Sequence, residues 1–337
     1  MKAWKLIAPK TLEFFTSTSA PVDSPAVVKV KIEMAAMSHT DFIRYNSPNG
    51  DYPFIPGRQA AGFISEVYDS PDSFFVKSDR VVIDPVLPCG ECVACKTGHP
   101  NQCNFKKILG VNTNGLYTDF ITLPVDAVHR IPQAIPFETA VFTEYVAMAV
   151  NTMDKIDIKK GDHVAILGSN KIGYVTAQII SYYQGIPVII DNNEEALEEA
   201  RSVGISYALN TDKTDVIEEV FSLTGGRMCE KVIYLTNTSK EVDTALELCA
   251  YGGVLCIVGY VPPKSFADFE ETFNKQLTIN TVNSGYGCFP AAINLLANKT
   301  VSVNGIMSEK VPFDKLDTIF ANTKEEDLIR KSKLIII

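Results

Sequence analysis

Four cysteines crowd into one short stretch, Pro88-Cys89-Gly90-Glu91-Cys92-Val93-Ala94-Cys95 followed by Cys103, a C-x2-C-x2-C-x7-C spacing. Four thiolates so spaced can close a tetrahedron around one zinc ion and leave no position open for substrate, which makes such a site structural. Metal there would fold a loop that has almost no core of its own. An iron–sulfur cluster is the rival, because closely spaced cysteines also suit it. Four unrelated thiols are the plain alternative, and their density speaks against it. The other four, Cys229, Cys249, Cys256 and Cys288, lie in apolar segments as ordinary core residues do.

A second constellation is Gly168-Ser169-Asn170-Lys171-Ile172-Gly173, which follows the apolar run His163–Leu167 and opens a helix. The dinucleotide fingerprint is G-x-G-x-x-G. Gly168 and Gly173 fill its outer positions, and Asn170 stands at the middle one. Backbone must approach a pyrophosphate closely there, and a positive φ is expected; Asn tolerates this better than most residues but adds bulk. The next strand ends in Asp191, 23 residues past Gly168. A carboxylate at that point accepts from both ribose hydroxyls and repels a 2′-phosphate, so NAD(H) is favoured over NADP(H). A Rossmann-like domain that no longer binds nucleotide is the alternative, and Asn170 is the reason it stays open.

The third stretch is 55-IPGRQAAGFI-64, where Arg58 and Gln59 interrupt an otherwise apolar segment. A guanidinium in such a place needs a partner or a task.

The elements that must position these residues change character near residue 146. Before it, period-two strands dominate. Val28, Val30 and Ile32 share one face, and further strands are expected at 61–67, 80–83 and 118–122, separated by Pro, Gly, Asn and Asp as in a barrel. After it, strands at 163–167, 187–191, 231–235, 254–258 and 277–280 alternate with helices such as 174–183 and 194–202, which predicts a doubly wound parallel sheet. A helix at 289–297 and the apolar end Leu334-Ile335-Ile336-Ile337 close the chain, and that end must pack somewhere.

With 337 residues the chain is expected to form two domains. Its net charge of −9 argues against nucleic acid or an anionic membrane as partner. The opening MKAWKLIAPK lacks the apolar core of a signal peptide, and no run approaches a membrane span, so the cytoplasm is the expected location.

Together these features resemble the medium-chain dehydrogenase/reductase superfamily, the zinc alcohol dehydrogenases and especially their polyol branch. Further landmarks are Val82-Ile83-Asp84-Pro85 before the cysteine lobe, Leu109-Gly110-Val111 before Asn114-Gly115, Leu223-Thr224-Gly225-Gly226, and the run from Tyr251 to Gly259. The resemblance implies a GroES-like β-barrel catalytic domain at 1–145 with a structural zinc lobe at about 86–106. It implies a Rossmann domain at 146–284 and a C-terminal return to the catalytic domain at 285–337. It also implies a small-molecule substrate, a homo-dimer or homo-tetramer, and one structural zinc held by Cys89, Cys92, Cys95 and Cys103.

The family's second zinc polarises the substrate oxygen while hydride passes to or from nicotinamide. Its ligand positions read differently here. Ser38, in Ser38-His39-Thr40-Asp41, stands where a thiolate is expected; Arg58 and Gln59 replace an imidazole and a carboxylate; only Glu144 matches. No catalytic zinc is therefore expected. The resemblance makes Thr40 the proton-relaying hydroxyl and His39 a cofactor-phosphate or relay residue. Lys333 is similarly a contact to the pyrophosphate, beside Gly168, Asn170, Lys171, Ile172, Gly173 and Asp191. Three readings follow. One is a zinc-free oxidoreductase in which Arg58, held by Glu144 or Asp41, faces an alcohol, carbonyl or conjugated C=C or C=N substrate. Another is an inactive pseudo-dehydrogenase that binds nucleotide or ligand. The third is a zinc enzyme with Glu144, His39 and Asp41 as substitute ligands. Arg58 and Glu144 as a buried ion pair that merely fills space is the structural counterpart of the first.

Overall fold

The computed structural model describes residues 1–16, 27–48, 50, 52–68, 74–235, 240–259 and 269–337. They form two compact units, Met1–Glu144 with Ile306–Ile337, and Tyr145–Gly305.

The first unit is built on the strand Val27–Ala36, where Val28, Val30 and Ile32 are wholly buried and Lys31 is exposed. That alternation is what period-two side chains on a half-buried sheet produce. The strand pairs antiparallel with Gln59–Tyr68, Phe120–Pro124 and the C-terminal strand Ser332–Ile336. The C-terminal register sets Leu334 opposite Ala36 and Ile335 opposite Ala35, so the apolar end is used as a sheet strand. Arg80–Ile83 and Val128–Arg130 extend one edge and Met307–Pro312 the other. A hairpin, Lys2–Ala8 with Thr11–Thr16, adds Trp4 and Leu6 to a core that includes Ile64, Ile83, Tyr117 and Phe320.

The second unit is a six-stranded parallel sheet: β1 (His163–Leu167), β2 (Ile186–Asp191), β3 (Tyr207–Asn210), β4 (Cys229–Tyr234), β5 (Cys249–Val258) and β6 (Thr278–Val282). The strand order 3-2-1-4-5-6 is that of a dinucleotide-binding sheet. Its central strands are near-continuous apolar runs, as burial on both faces demands.

The chain returns to the first unit at 305/306, not at 285 as the sequence suggests. Hydrogen bonds hold the intervening segment within the second unit. Asn151 Nδ2 donates to Ser284 O, Gln178 Nε2 donates to Ser302 O, and Gln178 Oε1 accepts from Ser302 N. Among the described residues no helix is long and apolar enough to cross a membrane.

Candidate functional site

Arg58 and Gln59 sit where the chain enters the strand Gln59–Tyr68, and both reach one carboxylate. Arg58 Nη2 donates to Glu144 Oε1, and Gln59 Nε2 donates to Glu144 Oε2. The pair is secluded, with the Arg58 side chain 17% and the Glu144 side chain 4% exposed. Glu144 lies in the first turn of the helix Thr143–Ile156, where the helix dipole favours a negative charge. Gln59 is itself buried, and its Oε1 is a buried acceptor with no hydrogen-bond partner among the described residues. Turning the carboxamide over would set that oxygen against the Glu144 carboxylate, so this orientation is kept and the acceptor stays unpartnered among the described residues.

Ser38 and Asp41 serve this cluster from behind. Ser38 is the N-cap of the helix His39–Asn46, and Asp41 closes a capping box with it. The Asp41 carboxylate accepts from Ser38 N at 2.8 Å, Ser38 Oγ at 2.6 Å, Tyr117 OH at 2.9 Å and Gly57 N at 2.9 Å. The last bond fixes the backbone one residue before Arg58. Burial pushes the Asp41 carboxyl above its usual range, opposed by its bonds to Ser38, Tyr117 and Gly57. Arg58 is therefore held by Glu144, and Asp41, its other expected partner, is spent on the cap and on Gly57. Thr40 is half-buried in the first turn of the same helix.

One carboxylate in this neighbourhood was not singled out by its chemistry in the sequence. Asp84 directly follows the strand Arg80–Ile83, is 2% exposed, and accepts from Val86 N at 2.9 Å. Burial pushes its carboxyl up to about 7, aided by the Glu144 charge and opposed by Val86 N–H and Arg58. The signal available was an aspartate directly after three buried apolar residues, Val81-Val82-Ile83. Because the folded state raises this pKa, the associated stability is present in full below the unfolded value near 4 and is lost as pH rises through about 7. The loss is about 4 kcal/mol at most. Asp84→Asn is expected to remove most of that slope in unfolding free energies measured between pH 5 and pH 8. An unchanged slope would place the titration elsewhere.

The donor set does not fit a catalytic zinc. Of the residues that the resemblance sets there, a hydroxyl, a guanidinium and a carboxamide are not zinc ligands, and the one carboxylate already spans two donors. The substitute ligands are also dispersed: His39 Nε2 lies 2.8 Å from Glu325 Oε1. Among the described residues one group of His, Cys, Asp or Glu is disposed to hold a metal, and it is the four cysteines.

Their sulfurs all lie within 4.8 Å of one another, with Cys92–Cys95 and Cys89–Cys103 at 3.5 Å. Zinc–sulfur bonds of about 2.3 Å put the sulfurs of a tetrahedral site about 3.8 Å apart, so this set fits one zinc. An iron–sulfur cluster interposes several irons and sulfides and needs wider spacing. Backbone N–H groups of Glu91 and Cys92 hold the Cys89 thiol well below its usual range, at about 6. The lobe has little else: Val93 and Phe105 are 80% and 72% exposed.

The glycine-rich turn connects β1 to the helix Lys171–Tyr182. Gly168 has φ +109°, and a Cβ on Gly173 would meet Gly168 O at 2.1 Å, so both outer glycines are required by local geometry. Asn170 departs from expectation. Its φ is −73°, not positive, because it acts as the helix N-cap: Oδ1 accepts from Ile172 N and Gly173 N. Asp191 Oδ2 accepts from Ser169 N at 2.7 Å and Oδ1 from Asn193 N at 2.9 Å, which places the carboxylate beside the turn at the end of β2. Lys171 is buried, with Nζ 5.6 Å from the Tyr145 ring centre. Lys333 pairs with Glu309 within the first unit.

Two family models match the chain: the alcohol dehydrogenase GroES-like domain over residues 24–133 and the zinc-binding dehydrogenase domain over 172–298. An uncharacterised zinc-type alcohol dehydrogenase-like protein of Haemophilus influenzae is 25% identical over 90% of both chains. The sorbitol dehydrogenase of Halalkalibacterium halodurans is 25% identical over 92% of both. An Escherichia coli alcohol dehydrogenase solved with NADH superposes with a TM-score of 0.89 at 23% identity, covering 100% of this chain and 99% of that one. With the strand order, the glycine turn and the cysteine lobe, these matches identify the chain as a member of the medium-chain dehydrogenase/reductase superfamily, of the zinc-type alcohol dehydrogenase kind.

Proposed function

We propose that the chain is an NAD(H)-dependent oxidoreductase that works without a catalytic zinc, on a small alcohol or carbonyl or a conjugated C=C or C=N substrate. The observation that carries this reading is the Arg58–Gln59–Glu144 hydrogen-bonded cluster, built from residues that the resemblance assigns to the family's metal position. When bound, NAD(H) takes or gives the hydride. The residues that would hold it are Gly168, Asn170, Lys171, Ile172, Gly173 and Asp191. The chain's own contribution is a guanidinium, oriented by Glu144, that offers N–H donors to a substrate oxygen. Beside it Gln59 Oε1 accepts from a hydroxyl, and Ser38 and Asp41 fix the backbone that carries both. Asp84, a further buried carboxyl near Glu144, can hold or release a proton near neutrality. His39 pairs with Glu325 and Lys333 with Glu309, and each has a further ring nitrogen or N–H left for a role toward cofactor. One zinc belongs to Cys89, Cys92, Cys95 and Cys103 as a structural ion. The protein is cytoplasmic and a homo-dimer or homo-tetramer. Its exposed edge strand β6, with Ile279 39% exposed, is the place for pairing.

Metal analysis combined with NADH oxidation over a panel of ketones, enones and imines tests the reading. About one zinc per chain with turnover is expected, and Arg58→Met should abolish the turnover. About two zincs per chain would sink the zinc-free part. A second reading, a nucleotide- or ligand-binding protein that transfers no hydride, is favoured by the occupied helix end at Asn170; NADH binding without turnover on any panel member would establish it.

A further inference from the structure

In a glycine fingerprint the pyrophosphate sits at the N-terminus of the helix that follows the turn and takes its backbone N–H groups. Here those donors already have an acceptor. Asn170 Oδ1 accepts from Ile172 N at 3.0 Å and from Gly173 N at 3.1 Å. Asn170 Nδ2 donates to Leu235 O at 3.1 Å, so both ends of the carboxamide are used. The reversed amide would face N–H with N–H and oxygen with oxygen, which fixes this orientation. The backbone at Asn170 is extended, with φ −73° and ψ −177°, so the difference from glycine lies in the side chain and not in strain.

We propose that Asn170 is a self-docked gate on the dinucleotide site: its carboxamide stands in for the pyrophosphate on Ile172 N and Gly173 N, and cofactor binds only by displacing it. This rests on the NAD(H) reading above and adds to it that the chain sets its own cofactor affinity. Displacement is feasible because a phosphate oxygen is an ionised acceptor and makes the stronger hydrogen bond. The swung-out carboxamide must also find a new partner for Nδ2, or water, in place of Leu235 O. The gate thus lowers affinity without destroying the site. Its removal leaves the helix intact, since glycine is nearly as good an N-cap as asparagine.

NADH titration by fluorescence on the full chain, with Asn170→Gly, Asn170→Ala and Asn170→Asp, tests the gate. The Gly variant is expected to bind about tenfold more tightly than the wild type, as loss of a competing acceptor pair implies. The Ala variant should fall on the same side. The Asp variant should bind roughly tenfold more weakly or worse, because a carboxylate holds both N–H groups harder and repels the pyrophosphate. A second readout is free of cofactor: amide hydrogen exchange at Ile172 and Gly173 should speed up in the Gly and Ala variants and slow in the Asp variant. Should the Gly variant loosen the turn and fail to fold, the Ala and Asp pair decides. Equal affinity across wild type, Gly or Ala, and Asp would overturn the gate and leave the NAD(H) reading standing. No NADH binding by any of them would overturn both.

Discussion

Glu144→Ala is expected to destabilise the first unit by about 3–5 kcal/mol, the cost of removing one partner of a buried ion pair. The Arg58 side chain is 17% exposed, and its Nη2 reaches Glu144 Oε1; Gln59 Nε2 reaches the other oxygen. Deleting the carboxylate therefore removes the acceptor of a guanidinium and of a carboxamide donor in one step. The sole tryptophan, Trp4, is 4% exposed in the core of that unit and donates Nε1–H to Phe313 O at 2.7 Å, so its fluorescence reports this unit's unfolding in urea. The double variant Arg58→Met, Glu144→Leu removes both charges together. It should recover most of the loss, because an apolar pair of similar size often matches or exceeds a buried ion pair in stability. The same double variant separates space-filling from function: stability restored with NADH-dependent turnover lost means that Arg58 acts on substrate. A Glu144→Ala loss below about 1 kcal/mol would show the pair to be solvated and would place it with ordinary surface bridges.

Much of the frame was legible because burial imposes periodicity. Val28, Val30 and Ile32 alternate, β1 and β2 are apolar runs, and the expected spans 163–167, 194–202 and 289–297 agree with the observed elements. The helix Thr143–Ile156 was not anticipated: its residues 143–150 are buried without a break, so no polar face betrays a 3.6-residue period. Nor was β3, a four-residue strand whose Tyr-Ala-Leu-Asn carries little strand propensity. The strand expected at 254–258 begins at Cys249, because Gly252 and Gly253 read as a turn and lie within it.

At the site, the residue types at Ser38, Arg58 and Gln59 were legible as a missing ligand set, whereas their contacts were not. The Ser38 cap is local, a Ser-x-x-Asp box that the sequence carries but that was not anticipated there, whereas Asp41 as the anchor of Gly57 and Asp84 beside the Arg58–Glu144 pair depend on segments far apart in sequence. Asn170 is the sharpest case. Its identity at the fingerprint's middle position suggested a backbone with positive φ, but the side chain competes for the helix end and settles the conformation.

The cysteine lobe should depend on metal for its entire fold. Residues 89–103 hold a four-residue helix, Val93–Lys96, and one short 3₁₀ turn, Pro100–Gln102; only Cys103 among the four thiols is buried. Val93 and Phe105 face solvent, so almost no apolar burial offsets the entropy of ordering the loop. Zinc at the four sulfurs would supply that free energy, on the order of 10–16 kcal/mol in small zinc folds. Chelation, or Cys95→Ser, is therefore expected to remove the zinc and open the lobe to proteolysis, with cleavage concentrated between Cys89 and Phe105. The Trp4 signal should survive, because the sheet core that buries Trp4 draws only Leu87, at the edge of the lobe, from this region. Cys256→Ser is the control: that thiol is wholly buried in β5 and is not one of the four cysteines disposed to hold a metal, so its loss should leave zinc content unchanged. A lobe that stays protease-resistant after chelation, with the four sulfurs reduced, would show that backbone packing alone sustains it and would remove the structural role assigned to the metal.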